Sequence, residues 1–122
     1  MTGLACATAL VCALAAGAPA SEEQVPVPGQ HRIVSAQAYT HYLHGRIREL
    51  GGDLKGALEH YRLAVVYDAF SPYLHLVISD VQARLLNFKA AIAQAEASVE
   101  LDPAYTDGYL QLGLLFRILG EY

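Results

Sequence analysis

The stretch Ser71 to Tyr105, SPYLHLVISDVQARLLNFKAAIAQAEASVELDPAY, decides the fold. It reads as two helices joined by a turn. Ser71-Pro72 places an N-cap and a proline at a first helical position, and Asp102-Pro103 stops the second helix, since proline disfavours helical geometry in the residue before it. Shifted back by 34 positions, the stretch falls on a copy of itself: Ala57 lies under Ala91, Leu58 under Ile92, Ala64 under Ser98, Val65 under Val99 and Asp68 under Asp102. Shifted forward by 34, Ser79 falls on Gly113, Leu76 on Leu110 and Phe88 on Tyr122. Two helices per unit at a fixed period predict an all-α solenoid of stacked antiparallel helix pairs, a fold that presents a surface to a partner.

The same signals carry outward along the chain. Ser35 is expected to cap a first helix running to about Leu50, with Ala38, Leu43, Ile47 and Leu50 as its apolar stripe. Gly51-Gly52 ends it and Asp53 caps a second helix, Leu54 to Tyr67, whose buried face is Leu54, Ala57, Leu58, Tyr61, Ala64 and Val65. The third helix runs from Pro72 to about Leu86, and Asn87 caps the fourth, Phe88 to Leu101. A fifth starts near Thr106 and runs to about Leu119, and Gly120-Glu121-Tyr122 reads as the turn into a sixth. The fifth is apolar nearly all round (Leu110, Leu112, Leu114, Leu115, Phe116, Ile118, Leu119). Its last unit is thus expected to be truncated, and self-association through helix 106–119 follows as one way to cover it.

The pattern resembles the tetratricopeptide repeat, with units at about 38–71, 72–105 and 106–122 (partial) in a domain spanning 35–122. The family's small position 8 is Gly45, Ser79 and Gly113. Position 20 is Ala57 and Ala91, position 24 is Tyr61 and Ala95, and position 27 is Ala64 and Ser98. Small residues at these places allow the roughly 8–10 Å approach of tightly packed helices. The resemblance implies a right-handed superhelix and a concave groove for a protein or peptide partner. Lining that groove would be Tyr39, Tyr42, Arg46, Glu49 and Leu50, then Tyr73, Leu76, Asp80, Ala83 and Arg84, then Asp107, Leu110, Leu114, Arg117 and Ile118. Tyr39, Tyr42 and Tyr73 with Arg46, Arg84 and Arg117 are the residue types enriched at binding hot spots. Some of these tyrosines are equally suited to packing between helices, and ion pairs of the type Arg46–Asp80 or Asp80–Arg84 contribute little at a surface. The family's clamp for a chaperone's C-terminal carboxylate would fall on Tyr42, Arg46, Val77, Asp107 and Gln111, none of which has the clamp's residue type.

Ahead of the repeats, residues 1–20 carry no charged side chain and contain the apolar run Leu4 to Gly17 followed by Ala18-Pro19-Ala20. This predicts a secretory signal cleaved after Ala20, although no Lys or Arg precedes the run. Left uncleaved, it would instead hold the chain near a membrane. Cys6 and Cys12, the only cysteines, would leave with the signal, so no thiol chemistry is expected. Residues 21–34 contain Pro26, Pro28 and Gly29 and read as a tether. The expected location is the periplasm or cell envelope, with secretion as the alternative.

Net charge is −4 with mixed signs and no basic stripe, so nucleic-acid binding has no electrostatic basis. No Gly-x-Ser-x-Gly, phosphate loop or spaced carboxylate pair is present, and Asp53, Asp68, Asn87 and Asp102 sit at helix ends, where capping explains them. No enzyme, cofactor or small-molecule substrate is expected. His41 and His44 share one helical face, but no cysteine or carboxylate completes a ligand set, and His60 and His75 lie elsewhere in the repeat, so no metal is expected. The leading functional reading is an exported interaction scaffold. The alternatives are a pilotin-like outer-membrane assembly factor and the leading segment of a larger enzyme.

Overall fold

The computed structural model describes residue 33 and residues 35–120; the expected signal, all of the tether but Ile33, and Glu121-Tyr122 lie outside the described residues. Five helices follow one another: α1 (Ala36–Leu50), α2 (Leu54–Tyr67), α3 (Pro72–Arg84), α4 (Phe88–Leu101) and α5 (Thr106–Leu119). α1 and α2 form one antiparallel hairpin, and α3 and α4 the next. α2 packs on α3, α4 on α5, and α3 also reaches α5.

Local chemistry fixes the ends. The Ser35 and Ser71 hydroxyls accept from the amides of Ala38 (3.3 Å) and Leu74 (3.4 Å), and Asp53 accepts from Gly56 N at 2.9 Å. Asn87 departs from the expectation: its side chain makes no cap bond and donates instead to Gln82 Oε1 at 3.1 Å. α3 also stops two residues short of Leu86.

The turns repeat as the helices do. Gly52, Leu86 and Gly120, spaced by 34, all have positive φ, at 85°, 65° and 74°. Asp53 N bonds to Arg48 O as Asn87 N bonds to Gln82 O, both at 2.9 Å, and Gly52 N bonds to Glu49 O as Leu86 N bonds to Ala83 O, both at 3.0 Å. The first helix of each unit (α1, α3 and α5) thus closes through a left-handed residue, the usual glycine C-terminal device. Leu86 occupies that conformation with a Cβ, at a cost of roughly 1–2 kcal/mol, while its side chain is 73% exposed and packs little. Leu86→Gly is therefore expected to stabilise the fold by about 0.5–1 kcal/mol, after discounting glycine's larger unfolded-state entropy. A calorimetric Tm higher by a few degrees would bear this out; a lower Tm would mean that the leucine side chain contributes more than its backbone costs.

Three clusters form the core. Ala57, Leu58, Tyr61, Ile78 and Val81 join α2 to α3; Ala38, Ala64 and Leu74 join α1, α2 and α3, with Ile33 packed against them; Ala91, Ala95 and Leu115 join α4 to α5. The stripe expected on α1 is corrected. Of the four, Ala38 is buried as expected, but Leu43, Ile47 and Leu50 are 42%, 67% and 80% exposed, and the other residue that the helix buries is Gly45. The reason is steric: a Cβ built on Gly45 would lie 2.6 Å from Cδ1 of the fully buried Tyr61, so the packing face must be small where α2 supplies the bulk. In the second hairpin the corresponding pair is Ser79 and Ala95, and the Ser79 hydroxyl donates across to Ala91 O at 2.7 Å.

Candidate functional site

The first helices of the units carry the groove residues read from the sequence, and the structure sorts them. Tyr39, Tyr42 and Tyr73 come together. The Tyr42 ring lies 5.9 Å from Tyr39 and 5.6 Å from Tyr73, and the Tyr42 and Tyr73 hydroxyls share a 2.8 Å hydrogen bond that ties α1 to α3. Tyr39 is half exposed. Tyr42 is partly buried, meets the Tyr61 ring at 5.9 Å and packs against two of the core clusters. Burial first, then the bond to Tyr73, pushes its hydroxyl up to about 12. Tyr42 is therefore as much a core residue as a contact residue.

Beside this aromatic patch, Glu49 at the C-terminal end of α1 gathers three donors. Its Oε2 accepts from Arg46 Nη1 at 3.0 Å and from the Tyr61 hydroxyl at 2.5 Å, and its Oε1 accepts from Arg84 Nη1 at 2.6 Å. Only 10% of its side chain is exposed. Burial pushes the carboxyl up, but the Tyr61 hydroxyl and the two guanidinium groups together outweigh it and hold Glu49 below the ordinary glutamate range. Arg46 pairs with Glu49 rather than with Asp80, whereas Arg84 also approaches Asp80 Oδ2, at 3.9 Å. Sequence reading placed Glu49 only among the groove-lining positions; its role as the joint between α1, α2 and α3 depends on contacts 12 and 35 residues away.

Further along, Leu76 is partly buried and Asp80 exposed, while Leu110 (62%), Leu114 (41%) and Arg117 are exposed on α5, together with Tyr109 and Ile118. The residues expected to line the groove are thus aromatic and charged in the first two units and mainly aliphatic, with Asp107 and Arg117, in the third.

A second constellation lies on the first hairpin. His41 and His44 from α1 and His60 from α2 each offer a ring nitrogen, and these atoms all lie within 4.8 Å of one another. The His41 ring stacks on Tyr67 at 5.4 Å with the planes 8° apart, and the His44 and His60 rings meet edge to face at 5.5 Å. His44 and His60 also line an open hollow with Ile47 and Arg48. Linear spacing separates His60 from the pair; folding α2 back along α1 unites them. His75 is not part of the group, its Nδ1 lying 2.8 Å from Gln94 Oε1.

No family model matches the sequence, and no curated protein matches it. Solved structures do. The second tetratricopeptide-repeat domain of Spaghetti (RPAP3), bound to the HSP90 peptide SRMEEVD, superimposes with a TM-score of 0.65 at 19% identity, over 70% of this chain and 79% of that one. The first such domain of the same protein, bound to the same peptide, gives 0.66 at 24% identity, over 75% and 71%. The TPR2B domain of yeast Sti1, in a pHsp70 complex, gives 0.66 at 20% identity, over 70% and 68%. The repeated hairpins, their small packing positions and these superpositions together give the chain an all-α tetratricopeptide-repeat solenoid fold.

Proposed function

We propose that the chain is an interaction scaffold, without catalytic activity, that takes a protein or peptide partner along the concave side of α1, α3 and α5. The observation that carries this reading is the meeting of Tyr39, Tyr42 and Tyr73 on α1 and α3 next to the Glu49–Arg84 pair, with Leu110 and Leu114 exposed on α5. Rigid aromatics next to arginines and aliphatic side chains suit an extended or helical segment with mixed apolar and polar side chains. The superimposed domains hold HSP90 and pHsp70 partners, which supports a peptide as the occupant. The residues at the carboxylate-clamp positions here favour a peptide engaged by its side chains over one held by its C-terminal carboxylate.

Peptides selected from a random display library on the wild-type chain test this reading. Tyr39→Ala combined with Leu114→Ala should weaken the selected peptides by roughly 2 kcal/mol or more, about thirtyfold in Kd, with helicity unchanged because neither side chain belongs to a core cluster. Lys89→Ala on α4 should have no effect. Peptides that ignore the first pair and respond to Lys89 would place binding on the other side of the solenoid and sink the proposal.

The proposal extends to export, on the strength of the uncharged leader and Ala18-Pro19-Ala20. N-terminal sequencing of the protein from its native host should begin at Ser21, and a cytosolic product that retains Met1 would rule this part out.

A further inference from the structure

We propose that His41, His44 and His60 form a binding site for a divalent transition-metal ion of the zinc class, which clips α1 to α2. Three observations converge. The three ring nitrogens lie within 4.8 Å of one another. A tetrahedral ion at about 2.0–2.1 Å from each nitrogen needs them about 3.3 Å apart, so binding turns the rings toward one another. The Nδ1 atoms of His41 and His60 are both buried and meet no hydrogen-bond partner among the described residues. Buried polar atoms of this kind are rare in a folded interior and point to a ligand. Finally, the spacing is that of a built site. His41 and His44 are one turn apart on α1, and His60 comes from the helix packed against it, the arrangement by which helical bundles hold metals between facing helices.

The donor set selects the ion. Three imidazoles with neither carboxylate nor thiolate suit zinc, nickel or copper and disfavour calcium and magnesium. An open hollow adjoins two of the three rings, those of His44 and His60. Arg48 also lines that hollow, but its guanidinium is engaged by Asp53 at 3.1 Å. Tyr67 stacks on the His41 ring.

The test uses the full untagged chain, stripped with chelator and titrated with zinc chloride. Calorimetry should give one zinc per chain. At zinc concentrations about a hundredfold above Kd, Tm should rise by roughly 10 °C or more, as expected for a ligand that binds only the folded state. Cobalt chloride in place of zinc should give the visible absorption of a tetrahedral rather than a six-coordinate ion. His60→Gln should abolish the zinc-dependent rise. His44→Gln, at an exposed ring whose loss leaves the core untouched, should weaken zinc by more than the roughly ten- to hundredfold that loss of an outer-shell partner costs. His75→Gln should bind as wild type. No saturable binding at one zinc per chain, or equal binding by the folded His44→Gln and His60→Gln variants, would overturn the proposal.

Discussion

Tyr61→Ala is expected to remove about 3–5 kcal/mol of stability, in the range measured for large aromatic truncations, and to lower Tm by on the order of 20 °C in a domain of this size. Tyr61 has no exposed surface and fills the space over Gly45. It packs with Ala57, Leu58, Ile78 and Val81, and its hydroxyl donates to Glu49. Truncation opens a cavity and removes one of the three donors from a mostly buried carboxylate. Since a domain of this length is stabilised by only about 5–10 kcal/mol in total, the variant should lose a large share of its stability. Gly45→Ala should also destabilise, by about 1–3 kcal/mol, because the added methyl meets the Tyr61 ring. The second hairpin holds a smaller residue, Ala95, against a larger one, Ser79, at the same two positions. Transplanting that pair as Gly45→Ser with Tyr61→Ala should therefore cost less than the sum of the single changes. Urea melts of the four proteins check this. Strict additivity would mean that the two side chains do not share one space.

The second large effect centres on Glu49. Glu49→Ala should cost about 2–3 kcal/mol, because the Tyr61 hydroxyl loses its acceptor inside the core and two charge-assisted bonds are lost. The arginines contribute less than a fully buried pair would, since the Arg46 and Arg84 side chains are 44% and 46% exposed and can turn to water. The carboxyl is held below the ordinary glutamate range in the folded state, so the pH dependence has a definite sign. Its contribution is complete above the unfolded value, near 4.3, and is lost as pH falls through the lowered folded value. The stability gap between wild type and Glu49→Gln should therefore be open at pH 7 and narrow as pH drops below about 4. A gap that does not change from pH 7 to pH 3 would show that the charge on Glu49 contributes nothing.

Much of this fold is legible in the sequence, for local reasons. α1, α2, α4 and α5 have the expected bounds, and the Ser35, Asp53 and Ser71 caps form because such signals act within a few residues, whereas the Asn87 cap does not form. The face of α1 is not legible in the same way. Its leucine and isoleucine stripe has helical period, yet the buried face is chosen by the bulk that α2 brings to Gly45, and only the pairing of hairpin partners reveals that. The tyrosines proposed for the groove lie on the helices expected of them, but Tyr42 also packs against two core clusters, which no spacing encodes. The histidine group escaped for a related reason. His41 and His44 are neighbours in sequence, while His60 joins them only through the antiparallel register of α1 and α2. That register is implicit in the repeat, so laying each second helix back along its first would have found the group.

All the substantial helix pairings join elements that are next or next but one along the chain. This bears on how the protein is made. A hairpin's partners are all present once roughly one repeat of polypeptide exists, so little loop-closure entropy stands between synthesis and structure. On the ribosome the first hairpin can close as soon as Tyr67 has left the exit tunnel, and each later helix then docks on a surface already formed. Refolding from denaturant should accordingly be complete within milliseconds, apart from any fraction delayed by proline isomerisation. A dominant slow phase in chains with every proline already trans would be out of keeping with that order of assembly.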